Sequence, residues 1–155
     1  ADFPSPGILF RDISPLLETP DAFAFALNGM VKGIDLEGID HFVGIESRGF
    51  ILGAALAAQY QKGFVPLRKA GKLPPPVHSL AYSLEYGEAI LEVRPGAGRV
   101  LIVDDVLATG GTLQAAIDLT ERAGYRVAGA AVLIDLTFLN QMRFRGEKIH
   151  SVIQY

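Results

Sequence analysis

The segment at residues 100–112 constrains the fold of this chain more than any other stretch of its sequence. An apolar run at residues 100–103 leads directly into Asp104 and Asp105, and a turn of small residues follows before a helical pattern begins. A continuous apolar run predicts a strand buried on both faces, which is typical of a parallel sheet covered by helices. The order strand, turn, helix therefore predicts an α/β fold with its site at the carboxyl end of this strand.

The turn has the composition of an anion-binding site. It consists of Ala108, Thr109, Gly110, Gly111 and Thr112. Small residues allow several backbone N–H groups to converge on one anion, and the positive end of the following helix dipole faces the same point. The two threonines add hydroxyl donors. We therefore interpret the turn as the binding site of a phosphate group.

The two aspartates require a different partner, because a carboxylate repels a phosphate. Asp104 and Asp105 are suited to accept hydrogen bonds from the 2′- and 3′-hydroxyls of a ribose that carries the phosphate. A P-loop would need a lysine in the turn, and a dinucleotide site would need G-x-G-x-x-G; the sequence has neither. A Gly-Gly turn alone is common after a strand. The whole segment indicates a site for a phosphorylated ribose.

Composition narrows the class of protein. The chain has 155 residues, of which 50% are apolar, a net charge of −3 and no cysteine. We expect one domain at residues 1–155, without disulfides or thiolate metal sites, in the cytoplasm. The absence of a basic block argues against nucleic acid as a partner, and the apolar runs are too short to span a membrane. The three histidines show no metal-ligand spacing, so no protein-held metal is predicted.

Short apolar runs alternate with helical segments along the chain. Strands are predicted at residues 41–45, 63–67, 100–103, 127–134 and 149–153, and helices at residues 48–59 and 112–123. This order predicts a doubly wound, mainly parallel sheet flanked by helices. The long polar stretch at residues 69–92 is expected to form a flexible lid, with a short β-ribbon around Tyr82 and residues 89–93.

Three further segments carry chemistry at predicted strand ends or turns. Residues 46–50 read Glu-Ser-Arg-Gly-Phe, and Arg48 at a helix start is suited to clamp an anion. Residues 68–72 hold three cations, Arg68, Lys69 and Lys72, which form a binding patch if a pyrophosphate lies beside them. Two prolines and a glycine in residues 2–13 predict an extended, turned backbone there.

Together these segments resemble the adenine phosphoribosyltransferases of the type I phosphoribosyltransferase family. The motifs are F-P-x-P-G-I-x-F-R-D at residues 3–12, E-S-R-G-F at 46–50, R-K-x-G-K-L-P at 68–74, Y-S-L-E-Y-G at 82–87 and V-D-D-x-L-A-T-G-G-T at 103–112. The resemblance ends near Leu136. It implies that the phosphoribosyl group of 5-phosphoribosyl-1-pyrophosphate (PRPP) is transferred to adenine, giving AMP and pyrophosphate. It also implies Mg²⁺, held mainly through PRPP, and a homodimer.

The resemblance assigns a role to each candidate residue. It places the 5′-phosphate on residues 108–112 and the ribose hydroxyls on Asp104 and Asp105. The residues implied for pyrophosphate are Glu46, Ser47, Arg48, Arg68, Lys69 and Lys72, with a cis peptide between Glu46 and Ser47. The residues implied for adenine are Leu9, Phe10 and Arg11, in an N-terminal hood at about residues 1–20. In the lid, Glu85 is implied to handle the proton of the purine, flanked by Tyr82 and Tyr86.

Two alternatives remain open at this point. A phosphoribosyltransferase for a 6-oxopurine would carry a similar phosphate turn, and residues 3–12 are the feature that favours adenine. A transcription regulator that senses PRPP would need a helix-turn-helix or a basic face, and neither is visible in the sequence. The sequence also departs from the family pattern: it begins at Ala1, where the family usually has a helix before F-P-x-P, and the link between Val93 and Arg99 is shorter.

Overall fold

A seven-stranded sheet forms the centre of the computed structural model, which describes residues 11–84 and 87–155. Its strands are β1 (His41–Ile45), β2 (Gly63–Lys69), β3 (His78–Leu84), β4 (Gly87–Val93), β5 (Arg99–Leu107), β6 (Arg126–Asp135) and β9 (His150–Gln154). A separate ribbon pairs β7 (Arg143–Phe144) with β8 (Glu147–Lys148). The strand order is β3-β4-β2-β1-β5-β6-β9. The five strands β2, β1, β5, β6 and β9 are parallel to one another, and β4 pairs antiparallel with both β2 and β3.

Four helices in the described part of the chain flank the two faces of the sheet. They are α1 (Ser14–Glu18), α2 (Pro20–Val31), α3 (Arg48–Tyr60) and α4 (Gly111–Arg122). Successive residues of β5 alternate between the two hydrophobic cores: Val100 and Ile102 pack on the α4 side, Leu101 and Val103 on the side of α2 and α3. All four are at most 2% exposed. The central strand is therefore buried on both faces, as its apolar run predicts. None of the helices in the described ranges has the length and apolar character needed to cross a bilayer.

The predicted fold class is confirmed, and the differences lie in the extent of its elements. Strand β5 continues through both aspartates, because Asp104 pairs with Val132 and the ladder with β6 extends to Leu107. The expected short ribbon is a hairpin of two seven-residue strands, β3 and β4. Leu80 and Tyr82 of this hairpin pack against the core on the α4 side. Helices α1 and α2 were not predicted.

Glycines allow helix α3 to lie very close to the sheet. A Cβ atom on Gly44 in β1 would stand 2.6 Å from the carbonyl oxygen of Gly49 in α3. A Cβ atom on Gly49 would stand 3.0 Å from Oδ1 of Asp104 in β5. Only residues without a side chain permit this approach. The first turn of α3, which begins at Arg48, is consequently held against the carboxyl ends of β1 and β5.

A Gly44→Ala substitution should therefore destabilise the fold. The added methyl group meets backbone and the partly buried ring of Phe64, so we expect the free energy of unfolding to fall by about 1–3 kcal/mol, the usual range for overpacking. Gly129→Ala in β6 is the matched control, since its Cβ atom would lie 3.5 Å from Leu101, an ordinary contact. Urea denaturation of both variants tests this, and equal stability of the two would contradict it.

Candidate active site

A cleft of about 480 Å³ opens where β1, β2 and β5 reach their carboxyl ends. Its lining consists of Ile45, Glu46, Ser47, Arg48, Lys69, Lys72, Asp104, Asp105 and Thr112. Parallel strands end at a common edge of the sheet, which is why motifs that are far apart in the sequence meet there. Most of the residues that the resemblance assigned to ribose and pyrophosphate are thus gathered around one space. The Glu46–Ser47 peptide bond is cis, as expected.

Glu46 organises the cations on one side of this cleft. Its Oε1 accepts a hydrogen bond from Nε of Arg68 at 2.7 Å, and its Oε2 accepts one from Nζ of Lys72 at 3.0 Å. The glutamate side chain is only 8% exposed, whereas that of Lys72 is 48% exposed. Burial raises the pKa of Glu46, but the hydrogen bonds from Arg68 and Lys72 outweigh it and hold the pKa below its usual value. The carboxylate is therefore ionised and fixes two cations in place.

Arg48 connects the cleft to the segment that precedes α1. Its Nε lies 2.8 Å from Oδ2 of Asp105, which is a salt bridge, and its NH1 group donates to the backbone oxygen of Arg11 at 3.3 Å. The guanidinium group of Arg11 in turn lies 4.3 Å from the centre of the Tyr155 ring. Arg11, the described residue among those assigned to adenine, is thus held at both its backbone and its side chain.

Asp104 and Asp105 lie side by side at the floor of the cleft. The backbone N–H of Asp105 donates to Oδ1 of Asp104 at 2.9 Å. Burial raises the pKa of Asp104 well above its usual value, and the neighbouring charge of Asp105 raises it further. A carboxyl group in this situation can accept or donate hydrogen bonds according to its protonation state. The pair is suited to bind neighbouring hydroxyl groups.

The turn between β5 and α4 forms the other wall. Gly110 has a φ of +96°, a conformation that side chains disfavour, and α4 begins at the next residue. In the described structure no side chain caps this helix start, and its first turn has no acidic residue, so its N–H groups are available to an anion. An adjoining pocket of about 110 Å³ is lined by Asp104 and residues 106–110, 112, 113 and 132. Thr112 Oγ1 lies 3.5 Å from the hydroxyl of Tyr82 in the hairpin.

Some predicted residues are placed elsewhere or lie outside the described ranges. Arg68 does not line the cleft, but its Nε contacts Glu46, which does. Leu9, Phe10, Glu85 and Tyr86 lie outside the described residues, so their expected roles stay predictions. Within residues 11–84 and 87–155, no three His, Cys, Asp or Glu side chains converge as a metal-ligand set.

Asn140, which no sequence motif indicated, lies next to the phosphate turn. Its Nδ2 donates to the backbone oxygen of Ala108 at 2.9 Å. Asn140 follows β6 in a part of the chain without a recognisable motif, so the sequence carried no signal for it.

A separate cavity of about 320 Å³ lies near the amino ends of β5 and β6, lined in part by Arg99 and Ala128, and shares no residue with the cleft.

Comparison with known proteins defines the class to which this fold and site belong. The family described as the phosphoribosyl transferase domain matches residues 16–148. This range includes the cleft, the phosphate turn and all four helices except the first two residues of α1. The fold is therefore that of a phosphoribosyltransferase.

Individual relatives identify the family more narrowly. The adenine phosphoribosyltransferase of Bdellovibrio bacteriovorus is 59% identical over 154 residues, which cover 99% of this chain and 93% of the relative. The crystal structure of the Rhodothermus marinus enzyme of the same name matches with a TM-score of 0.89 at 48% identity, covering 99% of this chain and 91% of that one. The Saccharomyces cerevisiae enzyme, crystallised with an iminoaltritol bisphosphate and adenine, gives 0.75 at 40% identity, with coverages of 89% and 83%. This chain belongs to the adenine phosphoribosyltransferase family.

The raised pKa of Asp104 makes a prediction about stability. In the unfolded chain the carboxyl group of Asp104 has its ordinary pKa of 3.8, whereas in the folded protein it keeps its proton to a higher pH. Because the folded pKa is the higher one, the contribution of Asp104 to stability is present below about pH 4 and is lost as the pH rises through the folded pKa. Asp104→Asn has no such carboxyl group and does not lose stability in this way. The melting temperature of the variant minus that of the parent should therefore increase from pH 4 to pH 8.

Thermal denaturation across this pH range checks the prediction. Asp118→Asn, on the exposed face of α4, is the matched control and should show no comparable trend. A difference between Asp104→Asn and the parent that stays constant with pH would contradict the assignment of the raised pKa.

Proposed function

We propose that this protein transfers the 5-phosphoribosyl group of PRPP to adenine and releases pyrophosphate, a step of purine salvage that yields AMP. The observation that carries the proposal is the cleft at the carboxyl ends of β1, β2 and β5. It combines a small-residue turn at the start of α4, two adjacent aspartates and a group of cations. The S. cerevisiae relative, crystallised with adenine, supports adenine as the base.

The phosphorylated ribose fits between the turn and the aspartates. We assign its 5′-phosphate to residues 108–112, where the uncapped N-terminus of α4 supplies backbone N–H donors and a favourable dipole. We assign its 2′- and 3′-hydroxyls to Asp104 and Asp105. Since Asp104 is in strand β5 and paired to Val132, this carboxyl group is held by the sheet rather than by a loop. The site is therefore organised before the substrate binds.

The pyrophosphate group fits on the opposite side of the aspartates. Arg48, Lys69 and Lys72 line that part of the cleft and are the groups that neutralise its charge. Glu46 and Ser47 contribute their backbone, because the ionised side chain of Glu46 would repel the ligand directly. The Glu46 carboxylate instead orients Arg68 and Lys72 through its two hydrogen bonds.

Magnesium is proposed to enter with PRPP. Carboxylate oxygens such as those of Asp104 and Asp105 suit Mg²⁺, and the described residues offer no converging set of three such ligands. We infer that PRPP oxygens supply most of the coordination and that the aspartates act next to them. When bound, the ion neutralises charge on the departing pyrophosphate.

The chemistry forms a bond from a ring nitrogen of adenine to C1′ and breaks the bond from C1′ to pyrophosphate, which leaves with the electron pair. The proton of the attacking nitrogen passes to a base, and we assign this task to Glu85. The protein contributes by aligning the two substrates and by surrounding the charged leaving group with fixed cations. The hairpin that carries Tyr82 is proposed to exclude water from the reacting carbon. We further propose a cytoplasmic homodimer with a hood at residues 1–20.

A panel of bases tests the proposed function. Purified protein, Mg²⁺ and PRPP are offered adenine, hypoxanthine, guanine and orotate separately, and nucleotide formation is followed. We expect AMP from adenine and no turnover of the other bases. Turnover of hypoxanthine or guanine in place of adenine would keep the PRPP site but overturn the assignment of the base. Binding of PRPP without any turnover would favour a regulatory role.

The role of Glu85 makes a kinetic prediction. Glu85→Gln removes the proton acceptor, so kcat should fall by about 10²–10⁴-fold, the usual contribution of general acid–base catalysis. The Kd for PRPP should stay near that of the parent. Glu88→Gln, at an exposed position of β4, is the control and should keep parental kcat. An unchanged kcat in Glu85→Gln would remove this residue from the chemistry.

A further inference from the structure

Asn140 joins the phosphate turn to the end of strand β6. Its Nδ2 donates to the backbone oxygen of Ala108 at 2.9 Å, to Oδ1 of Asp135 at 3.0 Å and to the backbone oxygen of Leu136 at 3.1 Å. Its Oδ1 accepts from the backbone N–H of Met142 at 3.0 Å. One side-chain amide therefore contacts the first residue of the turn, the last residue of β6 and the loop that follows β6.

These contacts begin directly after the last residue pair of the β5–β6 ladder. The ladder between β5 and β6 ends at the pair Leu107 and Asp135, and Leu136 N–H donates to Leu107 oxygen at 2.9 Å. Ala108 is the next residue, and its carbonyl oxygen accepts the hydrogen bond from Nδ2 of Asn140. The amide thus extends the hydrogen bonding of the sheet by one residue, into the turn that leads to α4.

Asn140 also binds the backbone of Met142, a residue that packs against the turn. Met142, whose N–H it accepts, has its Sδ atom 3.2 Å from the point where a Cβ atom on Gly110 would stand. The turn is therefore fixed at its first residue by a hydrogen bond and packed near its third by a thioether. An asparagine suits this position because one planar group both donates and accepts.

We propose that Asn140 is a positioning residue for the 5′-phosphate, acting through the carbonyl group of Ala108. By fixing that carbonyl, it orients the backbone N–H groups of residues 109–112 toward the ligand. This inference rests on the proposed function, since it takes the turn to be the site of the 5′-phosphate. It predicts an effect on ligands that carry this phosphate and no effect on pyrophosphate, whose proposed cations lie on the other side of the cleft.

Asn140→Asp tests the inference with almost no change of shape. It replaces two donors with a carboxylate oxygen beside three acceptors, the carbonyls of Ala108 and Leu136 and the carboxyl of Asp135, and the repulsion should displace the turn. We expect the Kd for ribose 5-phosphate, measured by titration calorimetry, to rise by roughly tenfold or more. The Kd for pyrophosphate with Mg²⁺ should stay within about twofold of the parent value. Steady-state kinetics should show a higher KM for PRPP with KM for adenine unchanged.

Asn28→Asp is the matched control for the added charge. Asn28 uses Oδ1 to accept from Gln59 and Tyr60 on the exposed side of α2, and aspartate keeps this acceptor. Its affinities for ribose 5-phosphate and pyrophosphate should equal those of the parent. If Asn140→Asp does not fold, Asn140→Ala, which adds no charge, is used with the same two ligands and should show the same selective loss.

The outcomes separate this inference from the proposed function. Ribose 5-phosphate affinity that is unchanged in Asn140→Asp, or weakened equally with pyrophosphate affinity, would overturn the positioning role while AMP formation by the parent stands. Selective loss in the variant would support the positioning role, whichever base the parent accepts. Failure of the parent to bind ribose 5-phosphate would overturn both.

Discussion

The close contact between helix α3 and the sheet is the constraint on which the rest of the site depends. Gly44 and Gly49 leave no room for a side chain between β1, α3 and β5. The helix therefore starts directly over the carboxyl ends of the strands, with Arg48 within 2.8 Å of Asp105. A wider spacing, set by even one methyl group, would move a cation away from the carboxylates that it partners. Packing and electrostatics are inseparable at this point of the fold.

Charge in the cleft is arranged in opposing pairs. Glu46 lies between Arg68 and Lys72, and Asp105 lies against Arg48, whereas the charge of Asp105 affects the pKa of Asp104 more than the charge of Arg48 does. Burial of a charge is costly unless it is compensated, so these pairs allow a dense set of ionised groups beneath an open cleft. Among the described carboxyl groups, Asp104 is the one whose pKa is raised. The two acidic residues of the V-D-D motif therefore differ in their environment although they are adjacent in sequence.

The sequence was sufficient to predict the α/β fold and the meeting of the motifs at one edge of the sheet. It was insufficient where contacts between distant residues determine the length of an element or the role of a side chain. The strand at residues 41–45 was predicted with the bounds that the structure has, because Asp40 and Glu46 delimit its short, mainly apolar stretch. Strand β5 was predicted too short, since aspartates disfavour strands and only pairing with β6 keeps Asp104 in the ladder. Helix α2 could have been predicted, since Thr19, Pro20 and Asp21 are the residue types typical of a helix start. Asn140 could not be found from sequence, since its partners come from three separate stretches. The roles of Phe10 and Glu85 stay predictions.

The contact of Arg48 with the backbone of Arg11 links the cleft to the segment before α1, and the proposed function assigns the two residues to chemically different groups. One arginine pairs with Asp105 through Nε and with the segment before α1 through its terminal nitrogen. A ligand that draws this guanidinium toward itself must also alter the hold on Arg11, and a ligand that fixes Arg11 must favour one position of the guanidinium. Thermodynamic reciprocity then makes the two affinities interdependent. Under the proposed function, this one side chain couples the binding of the two substrates.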